Sequence, residues 1–241
     1  MIALGNTEIT NIGDIQRIYH GETLVYEKRL PEGYTRLEWV GSRRTGANPY
    51  VALPMYYDKS LGFSVRYRHH YTNNTVYILT GQTGARDGHD LGLYIGRGRT
   101  DKFYVHWGEG VYPAAEERPT LAADTWAWAS INMYDSRKWT FESEDGTRAE
   151  GALDGEIYAN SANQTYNNYP LAVLGFNRTS RNIDVSEMQV AVGNKLKAWL
   201  IAARRDSDGE PGYYDIVRNR FISAKNNTTY KLTAGPEYIY P

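Results

Sequence analysis

The stretch that decides the fold is Lys195–Phe221, KLKAWLIAARRDSDGEPGYYDIVRNRF. It opens with six consecutive apolar positions, Ala198-Trp199-Leu200-Ile201-Ala202-Ala203. Neither the two-residue alternation of a half-exposed strand nor the 3.6-residue rhythm of a surface helix runs through them. A strand that is apolar on both faces belongs inside a packed sheet. The charged run Arg204-Arg205-Asp206 and the turn signal Asp208-Gly209 end it. A second apolar run, Tyr213-Tyr214-Asp215-Ile216-Val217, comes next, then a turn at Arg218-Asn219-Arg220 and a short strand at Phe221-Ile222. The pattern predicts a central strand feeding a hairpin, with the rest of the chain wrapped around it.

Working outward, residues 34–40 and 61–68 alternate with period two. Further strand-forming runs fall at 76–80, 91–95, 103–107, 125–133, 139–142, 171–176 and 185–192. Turn-forming clusters at 84–90, 96–101, 135–137, 144–146 and 158–169 divide them. No long helical period appears. Ala114–Glu117 and Gly193–Trp199 are short helix candidates, and the second reads better as the start of the doubly apolar strand. Many short strands at regular spacing predict an all-β fold, two antiparallel sheets packed as a jelly-roll sandwich.

Ahead of this domain, residues 1–29 form a small unit. A lead-in containing Ile2, Leu4, Ile9 and Ile12 precedes a predicted hairpin, Ile15–Tyr19 and Thr23–Tyr26 about His20-Gly21-Glu22. So few residues cannot bury a core of their own. The unit is therefore expected to pack on the main domain, residues 30–241, on copies of itself or on a partner.

Bulk properties narrow the function. The chain has 241 residues and a formal charge of -1, a balance that does not point to nucleic acid or an acidic membrane. It has no cysteine, which excludes disulfides, thiolate catalysis and cysteine-ligated zinc. The first residues show no basic segment followed by an apolar one, so no signal peptide is expected. No apolar run reaches the roughly 20 residues of a membrane helix. The Asn-x-Thr triplets at Asn73, Asn163, Asn177 and Asn226 then read as polar loops. The chain is rich in Tyr (21) and has 6 Trp, residues that favour both strands and binding surfaces.

Two motifs carry a resemblance. The opening LPEGYTRLEWVGS, Leu30–Ser42, and the closing LIAARRDSDGEPGYYDIVRNRF, Leu200–Phe221, with Thr233-Ala234-Gly235-Pro236 after it, are similar to the two ends of a group of uncharacterised bacteriophage and prophage proteins. Leu91–Tyr94 and Leu174–Phe176 fit that group's core strands. Ala202-Ala203 stand where Pro-Cys is usual and Tyr213 replaces a usual Met, both changes of packing. The group resembles laminin-G-like and concanavalin A-like sandwiches. The first residues also resemble a short module found ahead of such domains in phage structural proteins. The resemblance implies a virion protein made in the bacterial cytoplasm: a head or tail fibre, a decoration or a receptor-contacting protein. It would be held to other virion proteins through residues 1–29, as a homo-oligomer with a trimer favoured, and would contact bacterial surface polysaccharide. A glycoside hydrolase of the same fold and a bacterial surface lectin-like domain are the alternatives.

Concanavalin A-like hydrolases carry Glu-x-Asp-x-x-Glu on a strand, one Glu attacking the anomeric carbon and the other protonating the leaving oxygen. Here the corresponding run is Asn182-Ile183-Asp184-Val185-Ser186-Glu187. An amide cannot form a glycosyl ester, so catalysis is not expected, and the run reads as a half-exposed strand with polar residues outward. Asp87 and Asp90, in the loop Gly84–Asp90, are the candidate Ca²⁺ ligands, against a plain solvated turn. His69 and His70 are adjacent and fall on opposite strand faces, which argues against a joint site. Trp107, Tyr112, Tyr94 and Tyr104 are the candidate glycan-stacking residues. The alternation puts Phe103, Val105 and Trp107 on one face and Tyr104 and His106 on the other, so the four do not form one platform. Trp126 and Trp128 share a face, expected to be the core. The loop Tyr158–Tyr169, YANSANQTYNNY, has the composition of an adaptable contact surface.

Overall fold

The structure is a computed structural model. It describes residues 29–43, 50–56, 60–70, 76–81, 91–95, 102–107, 110–112, 117–132, 137–153, 170–174, 182–224 and 231–240, together with four strands in the first 28 residues. Among the described residues no helix is long and apolar enough to cross a membrane. Regular structure there is overwhelmingly β, as the spacing of the apolar runs predicts.

The N-terminal strands form two hairpins. β1 (Ile2–Leu4) pairs with β2 (Thr7–Ile9), and β3 (Arg17–His20) pairs with β4 (Thr23–Glu27). The second is the hairpin expected about His20-Gly21-Glu22. The first converts the expected lead-in into a second paired unit.

Among the described residues, seventeen further strands follow: β5 (Tyr34–Arg36), β6 (Val40–Ser42), β7 (Val51–Tyr56), β8 (Leu61–His69), β9 (Val76–Gly81), β10 (Leu91–Ile95), β11 (Phe103–Trp107), β12 (Gly110–Tyr112), β13 (Trp126–Asn132), β14 (Lys138–Ser143), β15 (Arg148–Ala152), β16 (Pro170–Val173), β17 (Ile183–Val192), β18 (Lys195–Arg205), β19 (Pro211–Asp215), β20 (Arg220–Ser223) and β21 (Thr233–Ala234). The larger sheet runs in the order β15-β14-β13-β8-β17-β18-β19-β20, with β5 beside β18, β6 beside β17 and β21 beside β6. The smaller runs β12-β11-β10-β9-β16-β7.

Strict alternation along β8 and β14 builds the core. Phe63, Val65 and Tyr67 of β8 and Trp139 and Phe141 of β14 point inward and are buried. They meet Leu53, Ile78, Phe103, Val105, Leu171 and Val173 of the smaller sheet in one hydrophobic cluster. Phe103 stacks on Phe141 with ring centroids 4.9 Å apart and lies 5.9 Å from Trp139, which ties the two layers together. The architecture is an antiparallel sandwich.

The run 198–203 behaves as its composition predicts. Leu200, Ile201, Ala202 and Ala203 are all buried on β18, with β19 on one side and β17 then β5 on the other. The second apolar run ends earlier than expected, at Asp215. That buried carboxylate accepts the backbone N–H groups of Trp199 (3.2 Å), Val217 (3.1 Å) and Arg218 (3.3 Å), folding 216–219 into a turn and leaving Val217 exposed. The single strand expected over 34–40 is also split. Leu37 N–H donates to Ala202 O and Glu38 N–H to Pro236 O, so the chain changes partners between β5 and β6. Strands β7, β12, β15 and β21 match none of the strand-forming runs read from the sequence. β7 contains Pro54 and lies at the edge of its sheet, where a missing N–H is tolerated. β15 is largely exposed, without an apolar alternation.

The two motifs that bracket the domain lie against each other. Thr35 donates to Asp206 (2.6 Å), Tyr34 packs 4.8 Å from Tyr214 and 5.4 Å from Phe221, and Tyr213 O–H donates to Val40 O at 3.1 Å. Gly212 has no room for a side chain, because a Cβ there would lie 2.4 Å from Ile222 O. These motif residues close the fold, and none of their described contacts forms a ligand site.

Candidate functional site

The outer face of the larger sheet carries an unusual set of side chains for a surface facing water. Register places Trp126 opposite Arg68, Arg68 opposite Asp184 and Asp184 opposite Gly41. The next row runs Arg148, Glu142, Trp128, Arg66, Glu187. The row after it runs Thr140, Ser130, Ser64, Gln189, Trp199. An antiparallel sheet with one wet face normally shows plain polar residues there. Here the rows mix indole rings, guanidinium groups, carboxylates, hydroxyls and an amide.

Trp126 and Trp128 do share a face, but it is the outer one. Ala127, Ala129 and Ile131 take the core positions of β13, and Trp128 is 38% exposed. The expectation that these two rings are core is therefore corrected. The small inward residues leave room for the rings packed from β11 and β14, and the bulky indoles turn to solvent.

Guanidinium groups interleave with the rings. Arg66 and Arg68 each lie 4.7 Å from the Trp126 centroid, Arg43 lies 4.5 Å from that of Trp39, and Arg68 reaches Trp39 at 5.9 Å. Such stacking fixes the long arginine stems against rigid planes. The alternation of 61–68 already put Ser64, Arg66 and Arg68 on one strand face, so this half of the site was available from β8 alone.

Asp184 anchors the arrangement. It is fully buried, which is costly for a carboxylate unless charge and hydrogen bonds compensate. Arg68 supplies Nη2 at 2.7 Å and Nε at 3.2 Å, Arg43 Nη2 lies against Oδ1, and His70 Nε2 is 2.8 Å from Oδ2. The other ring nitrogen of His70 meets Asp124 on an exposed turn. His69 by contrast is buried on the opposite side of the strand, as the alternation requires.

Glu187 is almost fully buried and accepts Trp199 Nε1 at 2.9 Å. Strict alternation would place residues 184 and 187 on opposite faces. A bulge between Val185 and Glu187 brings both to the outer one. Asn182, just before the strand, adopts φ 52°, a left-handed conformation that asparagine tolerates. The half-exposed strand expected over 182–187 is thus corrected: its two carboxylates do face outward but are sunk into the sheet, Asp184 against Arg43, Arg68 and His70, and Glu187 against Trp199 Nε1.

The residues singled out from sequence lie elsewhere. On the smaller sheet the backbone register sets Tyr94 opposite Tyr104, Tyr112 opposite Val105 and Trp107 opposite Gly110. The side chains of Tyr94, Tyr104, Trp107 and Tyr112 lie outside the described residues. So do Asp87, Asp90 and the whole loop 158–169. Among the described residues, no three His, Cys, Asp or Glu side chains gather as a metal ion would need.

No family model and no curated protein matches the chain. Among solved structures, the chain is similar to a protein of Bacteroides ovatus named a "putative carbohydrate binding protein". The identity is 14% and the TM-score 0.51, and the match covers 84% of this chain and 60% of that one. A protein of unknown function from Shewanella oneidensis matches at 15% identity over 66% of this chain and 74% of its own, with a TM-score of 0.39. The chain thus spans less than two thirds of the Bacteroides protein, and at this identity the likeness shows a shared fold.

Proposed function

We propose that this chain is a non-enzymatic glycan-contacting protein of a bacteriophage virion, and that the outer face of its larger sheet is the contact surface. The observation that carries the reading is Trp128. It is a half-exposed indole on a rigid central strand, with Arg66 and Glu142 as its register partners on either side and hydroxyl and amide groups in the next row. Sugars stack their C–H faces on such rings while flanking polar groups fix their hydroxyls. The burial of Asp184 and Glu187, with an amide at Asn182, supports binding without cleavage. The likeness to a sandwich named for carbohydrate binding is consistent with it. The virion setting is supported by the resemblance of the two bracketing motifs to phage proteins. Residues 1–29 would dock the domain to other virion proteins or trimerise it, and several copies would add avidity to weak individual contacts.

The test is binding of the purified full-length chain to a panel of bacterial surface polysaccharides, with and without Ca²⁺, while free reducing sugar is followed. Binding without release is expected. Release of sugar would overturn the non-enzymatic reading, and failure to bind any member would overturn glycan contact. A Ca²⁺ requirement would direct attention to Asp87 and Asp90. A monomer in solution would overturn the oligomeric part.

A further inference from the structure

We infer that this face selects acidic glycans, through a carboxylate of the sugar chain that replaces Glu144 on Arg66. The inference rests on the glycan-contact reading above and adds the ligand's charge to it.

The cations of the face and their counter-charges are held differently. Arg66 and Arg68 stand two residues apart on the same side of β8, and both are stacked on Trp126. The carboxylate opposite Arg68, Asp184, is buried and out of a ligand's reach, and it is shared between Arg68, Arg43 and His70. Two guanidinium groups thus divide one buried negative charge. The carboxylate on Arg66 is of another kind. Glu144 belongs to the exposed turn after β14, is 56% exposed, and meets Arg66 Nη2 at 2.7 Å through a single contact. Asp124, the outer partner of His70, is likewise on a turn and 70% exposed. Ion pairs of that exposed kind are readily exchanged.

Donor capacity is left over. Among the described residues, Arg66 commits only Nη2 to a carboxylate, and Arg68 commits Nε and Nη2. A planar guanidinium with a free fork binds a carboxylate by two parallel hydrogen bonds, a geometry that a hydroxyl cannot match. The ligand group that fits is therefore a sugar carboxylate, with an adjoining sugar ring on Trp128, the register partner of Arg66. Among the described residues, no other carboxylate nearby is a hydrogen-bond partner of Arg66, although Glu187 is its register partner on β17. Glu142 is paired with Arg148 at 2.5 Å, and Glu187 is buried on Trp199 Nε1.

The experiment compares acidic polysaccharides (polygalacturonate, alginate, hyaluronate and polysialate) with their carboxyl-reduced, neutral counterparts, using the full chain at low and moderate salt. At least one acidic member should bind about tenfold more tightly than its reduced form, and the advantage should shrink as salt rises. Arg66→Gln should abolish the advantage. Glu144→Gln, which removes the competing carboxylate from an exposed turn, should enlarge it several-fold and leave binding of the reduced form unchanged. Both substitutions are at half-exposed or exposed positions, and an unchanged thermal melt verifies the fold. Equal binding of acidic and reduced forms, an advantage that survives Arg66→Gln, or no gain from Glu144→Gln overturns the inference. Equal binding that still depends on Trp128 leaves glycan contact standing. Loss of binding to both forms removes the two readings together.

Discussion

Arg68 and Asp184 face each other across β8 and β17, with Nη2 2.7 Å from Oδ2 and the carboxylate fully buried. This pair joins the rings of the outer face to the middle of the sheet. Removing one partner of a buried pair strands the other charge at a cost of about 3–5 kcal/mol. Asp184→Ala should destabilise the chain by that order, because Arg43, Arg68 and His70 lose their shared counter-charge. Asp184→Asn keeps the shape and one acceptor and should cost less. Urea unfolding of the two variants beside the native chain checks both the size and the order.

Two buried tyrosines should respond oppositely to loss of the hydroxyl. Among the described residues, Tyr67 O–H is buried without a hydrogen-bond partner, whereas Tyr213 O–H donates to Val40 O at 3.1 Å and Val185 O at 3.4 Å. Tyr67→Phe removes an unpaired polar group and should be neutral or stabilising. Tyr213→Phe removes a buried hydrogen bond and should cost about 1 kcal/mol. Equal losses in the two variants, read from melting temperatures, would contradict this.

The same residues set an alkaline limit. Burial pushes both phenols well above their ordinary 10.0, and at Tyr213 the charge of Asp184 adds to the effect. The unfolded chain then releases these protons at a lower pH than the folded chain does. Stability should be fully present below about pH 10 and fall as pH rises past it. Denaturation midpoints between pH 8 and pH 11 should show the decline, and Tyr67→Phe should soften it.

The fold was legible because its periodicities are strong. The alternation of 61–68 and the doubly apolar 198–203 specify β8 and β18, and the bracketing motifs turn out to pair across β5 and β18. The site was much less legible. Asp184 and Glu187 were visible as polar residues on a strand. The burial of Asp184 depends on guanidinium groups from β8 and from Arg43, distant in sequence, and that of Glu187 on Trp199 and on a bulge that no periodicity announces. Alternation puts Trp126 and Trp128 on one face; large rings usually turn inward, and here the small Ala127 and Ala129 take the inward positions instead.

Gly41 offers a steric test of the Asp184 setting. A Cβ there would lie 2.4 Å from Asp184 Oδ1 and 2.6 Å from Ile183 O. Gly41→Ala should therefore force β6 away from β17 and lower the melting temperature by several degrees, on the order of 1–3 kcal/mol for an overpacked interior. A melt indistinguishable from that of the native chain would show that the contact is looser than described.

The central claim, that the outer face of the larger sheet contacts glycan, turns on Trp128. The most direct measurement is calorimetric titration of a bound polysaccharide from the panel into the native chain and into Trp128→Ala, with thermal melts of both. The account predicts at least a tenfold loss of affinity in the variant at nearly unchanged stability, since the ring is half exposed and outside the core. Native affinity in a folded Trp128→Ala variant would contradict it and move the contact surface off this face.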